Sequence, residues 1–125
     1  MEDINFAPFE KLLDMKLVEL EDGFSRMEMP YRKKFTNPSG IMHGGAIASL
    51  IDTSMALSIK TLVDAHVPFF TVKLEIKFKA PVKEGTITAE SWAKFGKRKL
   101  IMTEVVVKNH NGKVVATSKG SFMMT

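Results

Sequence analysis

The segment from Asn37 to Lys60, NPSGIMHGGAIASLIDTSMALSIK, contains the residue types of this chain that could do chemistry together. Its run His43-Gly44-Gly45 precedes a stretch of apolar and small residues that one carboxylate, Asp52, interrupts. The stretch predicts a helix that begins near Gly44, where free N–H groups and the helix dipole favour negative charge. A helix terminus of this kind can stabilise an oxyanion, and a carboxylate can attack a carbonyl carbon or activate water. Acyl transfer requires this pair of groups.

The spacing of the two groups leads to a second prediction. Gly44 and Asp52 are eight residues apart, which is about 12 Å along a helix axis. An aspartate side chain cannot cover that distance, so the two groups of one chain cannot act on the same carbonyl. If both serve one site, that site must combine two chains packed antiparallel. The chemistry therefore predicts a homodimer with two shared sites at its interface.

The surroundings of Asp52 leave a structural alternative open. Apolar residues cover most directions of the predicted helix, which is typical of a buried helix. Because an unpaired carboxylate in a dry place costs several kcal/mol, Asp52 could instead be paired with a lysine or face solvent through a gap. Hydroxyl groups on such a helix can bond to backbone carbonyls. The residues that carry them are Ser49, Thr53, Ser54, Ser58 and Thr61.

The elements around this helix predict the fold class. Hydrophobic periodicity and turn residues indicate a short helix at about 6–14, two strands around Asp22-Gly23, a central helix at about 44–63 and four further strands. Strands and helices do not alternate, so a parallel doubly wound sheet is excluded. We predict an α+β protein in which one antiparallel sheet wraps around one long central helix. A length of 125 residues fits a single domain over 1–125.

The first strand after the central helix shows the clearest alternation. In FFTVKLEIKF, apolar residues alternate with charged ones, which is typical of a strand with one buried face. The residues predicted to share the apolar face are Val72, Leu74, Ile76 and Phe78.

Composition excludes several function classes. The chain has no cysteine, so disulfides and thiolate chemistry are absent. The spacing of its three histidines suits no metal site, and no phosphate or dinucleotide fingerprint is present, so we expect neither metal nor cofactor. The net charge of +4 comes from scattered lysines, which argues against nucleic acid as a partner. No apolar run approaches the roughly 20 residues of a membrane span, and no signal peptide begins the sequence, so we expect a cytoplasmic protein.

The central motif resembles that of a known family. The pattern N-x-x-G-x-x-H-G-G, with an aspartate nine positions after the histidine, resembles the hotdog-fold acyl-CoA thioesterases of the phenylacetate-pathway type. The similarity extends over roughly residues 12–124 and includes the strand that ends at Pro81. It implies a hotdog fold, a homodimer that often pairs into a tetramer, and hydrolysis of an acyl-CoA thioester.

The resemblance also implies roles for individual residues. Asp52 matches the catalytic carboxylate of the family, which acts as nucleophile or general base. Gly44 matches the backbone N–H that polarises the thioester carbonyl. Asn37 and His43 match side chains that line this carbonyl or position water, on the chain opposite to Asp52. Asn37 could instead be a simple turn residue, and His43 could be a loop histidine that caps the helix start. Thr71 matches a residue that helps to hold the water.

Three more residues are predicted to contact the substrate. Gly45 lets a ligand or a second chain approach the helix start closely. Lys97 and Arg98 lie where the family often places cations near the phosphates of CoA, although a solvated hairpin tip is the simpler interpretation. Many relatives carry a glycine after the first helix, where this chain has Asp14-Met15. This departure concerns local packing.

Other functions stay open at this point. A non-catalytic module that binds acyl-CoA would share the fold and the cations without needing Asp52. A nucleic-acid binder is a weaker alternative, and a steep fall of affinity with salt would reveal it. The sequence leaves open the acyl group, the choice between CoA and an acyl-carrier protein, and the choice between dimer and tetramer.

Overall fold

The computed structural model of the protein describes residues 6–125. The first five residues of the predicted domain lie outside this range. Two helices and six strands follow one another along the chain, and a single 3₁₀ turn, Lys33–Phe35, precedes the long helix. In chain order the elements are α1 (Pro8–Leu12), β1 (Lys16–Glu21), β2 (Phe24–Pro30), α2 (Gly44–Lys60), β3 (Phe69–Phe78), β4 (Thr86–Phe95), β5 (Leu100–Lys108) and β6 (Val114–Met124).

All six strands form one antiparallel sheet in the order β1-β2-β4-β5-β6-β3. One face of this sheet packs against α2, and the fully buried side chains of both elements form the core. The predicted α+β architecture, an antiparallel sheet around one long helix, is therefore confirmed. The core includes Leu50, Ile51 and Met55 of α2 and Ile87, Ile101, Val105 and Phe122 of the sheet.

Both helices are shorter than the sequence predicts. The five-residue α1 begins at Pro8 rather than Phe6, because proline suits the first helical position. It ends before Asp14, whose φ of 54° is left-handed and cannot continue a helix. The central helix begins at Gly44 as predicted and ends at Lys60, three residues before the predicted end.

One side of α2 is half exposed in the single chain, so the predicted burial is seen only on the side that faces the sheet. The large apolar residues face the sheet, and small or polar residues lie on the opposite side at helical spacing. We call this side the exposed stripe; it consists of Gly45, Ala48, Ser49, Asp52, Thr53 and Ala56. The predicted hydroxyl bonds to carbonyls are formed by Ser49, Ser54, Ser58 and Thr61.

The edge strand β3 contains a bulge. Thr71 pairs with Phe122 and Lys73 pairs with Ser121, so Val72 has no partner across the ladder. Without the extra residue, Thr71 would share a face with Lys73, because side chains alternate along a strand. The bulge instead turns Thr71 to the helix side, where Phe122 is buried.

Within residues 6–125, no helix is long and apolar enough to cross a membrane.

Candidate active site

The start of α2 is tied down by its own capping residue. The Nδ1 atom of His43 accepts a hydrogen bond from the Gly45 N–H at 2.8 Å. The carbonyl of His43 accepts from the N–H groups of Ala46 and Ile47. The Gly44 N–H has no acceptor in the described part of the chain. As the first residue of the helix, Gly44 cannot find an acceptor within the helix either, so one amide is left to bind an outside oxygen.

The two glycines at this terminus differ in what the single chain requires of them. A Cβ on Gly45 would lie 3.0 Å from the His43 Nδ1, which would push the capping imidazole away. A Cβ on Gly44 would lie 3.5 Å from the nearest atom, on Phe78, which is an ordinary contact. The His43 cap therefore explains Gly45, whereas nothing within residues 6–125 requires a glycine at position 44.

The loop before the helix is organised by Asn37. Its side-chain oxygen accepts from the N–H groups of Ser39 and Ile41 at 2.9 and 3.3 Å. The Tyr31 hydroxyl donates to the carbonyl of Gly40 at 2.7 Å, which fixes the other side of the loop. The Asn37 oxygen is thus committed to the turn, which leaves its side-chain N–H₂ as the group that could contact a ligand.

The carboxylate Asp52 lies on the exposed stripe and is half buried. Its Oδ1 accepts a hydrogen bond of 2.8 Å from the hydroxyl of Thr71. No cation among residues 6–125 forms an ion pair with Asp52. The structural alternative of a lysine pair is therefore not realised in this part of the chain, and one carboxylate oxygen is free.

The predicted cations lie at the same end of the sheet as Asp52. Lys97 and Arg98 are exposed in the β4–β5 hairpin, where Arg98 has a φ of 58°. The N–H of Met124 donates to the carbonyl of Lys99 at 2.9 Å, and Met124 pairs with Phe69 at the start of β3. The hairpin tip therefore lies two strands away from the beginning of β3, near Thr71.

The structure sorts the predicted residues into two groups. Asn37, His43 and Gly45 surround Gly44 at the start of α2, where the ring of Phe78 closes one side. Thr71 contacts Asp52 two helical turns further along, and Lys97 and Arg98 lie at this second end. The two groups do not meet within one chain.

Sequence reasoning missed two features beside the helix start. One is an apolar cleft of about 360 Å³ next to Gly44, lined by Ile47, Phe78 and Pro81 among others. Its signal in the sequence was Phe78 and the apolar residues Ala80, Pro81 and Val82 that follow β3. The other is a run of three cations before the helix, Arg32, Lys33 and Lys34, which is visible in the sequence as YRKKF.

Charged groups elsewhere in the described part of the chain form ion pairs between strands. No group of three His, Cys, Asp or Glu residues within 6–125 could hold a metal ion. On the outer face of the sheet, the Glu90 carboxylate accepts from Arg26 and raises the pKa of that guanidinium. This pair is part of a salt-bridge network between strands, which also includes Glu19.

The chain belongs to the thioesterase superfamily, whose family model matches residues 39–116. A protein of Saccharolobus solfataricus, named as an assumed esterase, is 36% identical over 90% of this chain and 79% of its own length. A protein of Archaeoglobus fulgidus with the same kind of name is 28% identical over 89% of this chain and 71% of its own. These matches support a hydrolase of the thioesterase class.

Solved structures give the same fold. A conserved protein of Pseudomonas aeruginosa superimposes with a TM-score of 0.87 at 25% identity, over 96% of this chain and 95% of that one. The PaaI protein of the E. coli phenylacetic acid degradation operon superimposes with a TM-score of 0.86 at 21% identity, over 95% and 85%. The predicted hotdog fold is confirmed.

Proposed function

We propose that this protein hydrolyses an acyl-CoA thioester to a carboxylic acid and CoA, at two sites shared between the subunits of a homodimer. One observation carries the proposal. Within residues 6–125, a half-exposed carboxylate without a cationic partner, Asp52, and a free helix-terminal amide, Gly44, lie on the same side of the molecule beside an unpaired strand edge.

The open edge of the sheet supports the dimer. β3 is ten residues long, and no strand in the described part of the chain pairs with its outer side. Phe70 and Phe78 on this strand are 50% and 53% exposed. A long exposed edge with apolar side chains is a template for pairing with another chain. A second copy can pair its own β3 here with two-fold symmetry, which makes the pairing antiparallel.

Antiparallel pairing of two β3 strands would bring Gly44 and Asp52 of different chains close together, although they are far apart within one chain. Within one chain, Asp52 contacts Thr71 at the start of β3, and Gly44 lies against Phe78 at its end. Pairing sets the start of one strand beside the end of the other. It therefore moves Asp52 of one chain towards Gly44 of its partner. The exposed stripe has no large side chains, so the two α2 helices can approach closely.

The proposed reaction uses few groups. The Gly44 N–H binds the carbonyl oxygen of the thioester and stabilises negative charge as the carbon becomes tetrahedral. Asp52 either removes a proton from water, whose oxygen attacks the carbon, or attacks the carbon itself to form an anhydride that water then cleaves. Collapse of the tetrahedral intermediate breaks the C–S bond, and the thiolate takes up a proton. Thr71 holds one oxygen of Asp52 and leaves the other for the reaction.

A thiol-release assay with a panel of acyl-CoA substrates tests this proposal. Because the chain contains no cysteine, a thiol-reactive dye reports only the CoA that is set free. We expect release with aromatic, short or medium acyl groups, and pantetheine thioesters test whether a carrier protein could deliver the substrate. Binding of acyl-CoA without any thiol release would favour the non-catalytic module. The cytoplasmic location and the pairing of dimers into tetramers stay predictions.

A further inference from the structure

A second depression borders the start of α2, on the side opposite to Phe78. This groove of about 250 Å³ runs between α1, the 3₁₀ turn and the exposed stripe. Its walls are mainly apolar, and one cation lies at its rim. The lining residues that matter here are Phe9, Leu13, Lys34, Phe35, His43 and Ser49.

The cation at the rim is one of two that converge. Arg32 Nε lies 3.5 Å from Asp14 Oδ2, and Lys34 Nζ lies 3.9 Å from the same oxygen. We call Arg32 and Lys34 the cation pair. Lys34 also lies over the ring of Phe35, 5.4 Å from its centre, which holds its head group above the groove. Because both cations lie close to one oxygen of Asp14, a phosphate oxygen could bind between them in place of this carboxylate.

Asp14 itself occupies an unusual position. Its φ of 54° is a left-handed conformation that few residues other than glycine adopt. Its carboxylate lies beside the cation pair, where the anionic group of a ligand would bind in its absence. Asp14, Arg32 and Lys34 are all well exposed, so water screens their mutual attraction and an incoming anion can compete.

We infer that the anionic end of CoA binds at Arg32 and Lys34, with the pantetheine arm in the groove that leads from them to the start of α2. The inference rests on the proposed function and adds the direction in which the substrate lies. The carbonyl sits at Gly44 between two depressions. The groove beside His43 has Lys34 of the cation pair in its lining, whereas the cleft beside Phe78 is apolar apart from Lys79. The apolar acyl group therefore occupies the Phe78 cleft.

The arrangement predicts effects of opposite sign on CoA affinity. Calorimetric titration with free CoA, without any acyl group, measures this affinity independently of hydrolysis. The double variant Arg32→Gln/Lys34→Gln should bind CoA about tenfold more weakly, because it lacks both charge-assisted bonds. Asp14→Asn should bind CoA several-fold more tightly, because it frees the cation pair and because asparagine tolerates a left-handed φ.

Two further variants make the result specific. Lys94→Gln/Lys119→Gln removes the same charge from the outer face of the sheet and should leave CoA affinity within about twofold of wild type. Lys97→Gln/Arg98→Gln should have a smaller effect than the change at the cation pair. The inference is overturned if the wild-type protein does not bind CoA or if Asp14→Asn does not bind CoA more tightly than wild type. It is also overturned if the outer-face variant loses as much CoA affinity as the cation-pair variant, or if the hairpin variant loses more.

A phosphate-free substrate separates this inference from the proposed function. An acyl thioester of N-acetylcysteamine lacks the nucleotide and most of the arm, so its KM should not change in the cation-pair variant. The KM for acyl-CoA should rise about tenfold in that variant while kcat is kept. If wild type releases thiol from acyl-CoA and the cation-pair variant keeps its KM, the groove assignment fails while the hydrolase proposal stands.

Discussion

The two ends of the proposed site are held in different ways. At the start of α2, the hydrogen bonds of His43, Asn37 and Tyr31 fix the loop and the first helical turn and leave one amide free. At the other end, Asp52 has one hydrogen-bond partner among the described residues, the hydroxyl of Thr71. An oxyanion site gains from donors that are fixed before the reaction, whereas a carboxylate that must reach water or carbon needs a free oxygen. The proposed chemistry therefore requires a fixed N–H at the start of α2 and a free carboxylate oxygen at Asp52.

Removal of the carboxylate should have the largest effect. Asp52→Asn keeps the shape of the side chain and one acceptor for Thr71, but it cannot take a proton or act as a nucleophile. We expect kcat for thiol release to fall by about 10³-fold, within the range for loss of a general base, with little change in KM. An unchanged melting temperature would show that the fold is kept. Near-normal hydrolysis by this variant would remove Asp52 from the mechanism.

The role of the helix start can be tested by removing the N–H of Gly44. Gly44→Pro deletes the N–H, and proline is favoured at the first position of a helix. His43, with φ of −60° and ψ of 133°, already has the backbone that a following proline demands. We expect kcat to fall by about 10²-fold, as for other oxyanion donors.

Gly44→Ala provides the matched control for this change. It keeps the N–H and adds a Cβ for which the single chain has room, so any loss of activity measures crowding of the ligand or the partner chain. Equal activity of the alanine and proline variants would mean that the N–H plays no part.

At the other end of the proposed site, the position of the Asp52 carboxylate depends on the hydroxyl of Thr71. Thr71→Val removes the donor to Asp52 and keeps the shape of the side chain, and we expect kcat to fall by roughly tenfold, the size of one hydrogen bond to a charged group. Thr71→Ser restores the hydroxyl and should restore most of the activity. If valine and serine gave the same kcat, the hydroxyl would not position the carboxylate.

The His43 cap at the start of α2 should affect the free energy of unfolding more than the rate of hydrolysis. His43→Ala removes the acceptor for the Gly45 N–H and should cost about 1 kcal/mol of unfolding free energy, or roughly 4 °C in melting temperature. His43→Asn should recover most of this loss, since asparagine is a strong capping residue. Thermal unfolding followed by circular dichroism measures both, and an asparagine variant no more stable than alanine would contradict the capping role.

Much of this site could be predicted from the sequence. The glycines and the helical spacing predicted the start of α2, and the alternation in β3 predicted that strand with its correct bounds. The chemistry read from the glycines and the aspartate stays a proposal. The distance between Gly44 and Asp52 led to the dimer hypothesis, because helix geometry is independent of context.

Other features depend on contacts that the sequence does not encode locally. The bulge at Val72 arises from the pairing of β3 with β6, and it alone turns Thr71 towards Asp52. The exposed stripe was hidden by residues such as alanine, which occur on buried and exposed surfaces alike. The cation pair was missed because Asp14 and Arg32 meet only in the folded chain.

Subunit mixing tests the central claim, that each site combines Gly44 of one chain with Asp52 of the other. The Asp52→Asn and Gly44→Pro proteins are unfolded together in equal amounts, refolded and assayed for thiol release. A randomly mixed dimer contains one intact site, so activity should return to about a quarter of the wild-type value. If mixing restores nothing although mixed dimers form, the two groups do not share a site across chains, and the account is wrong.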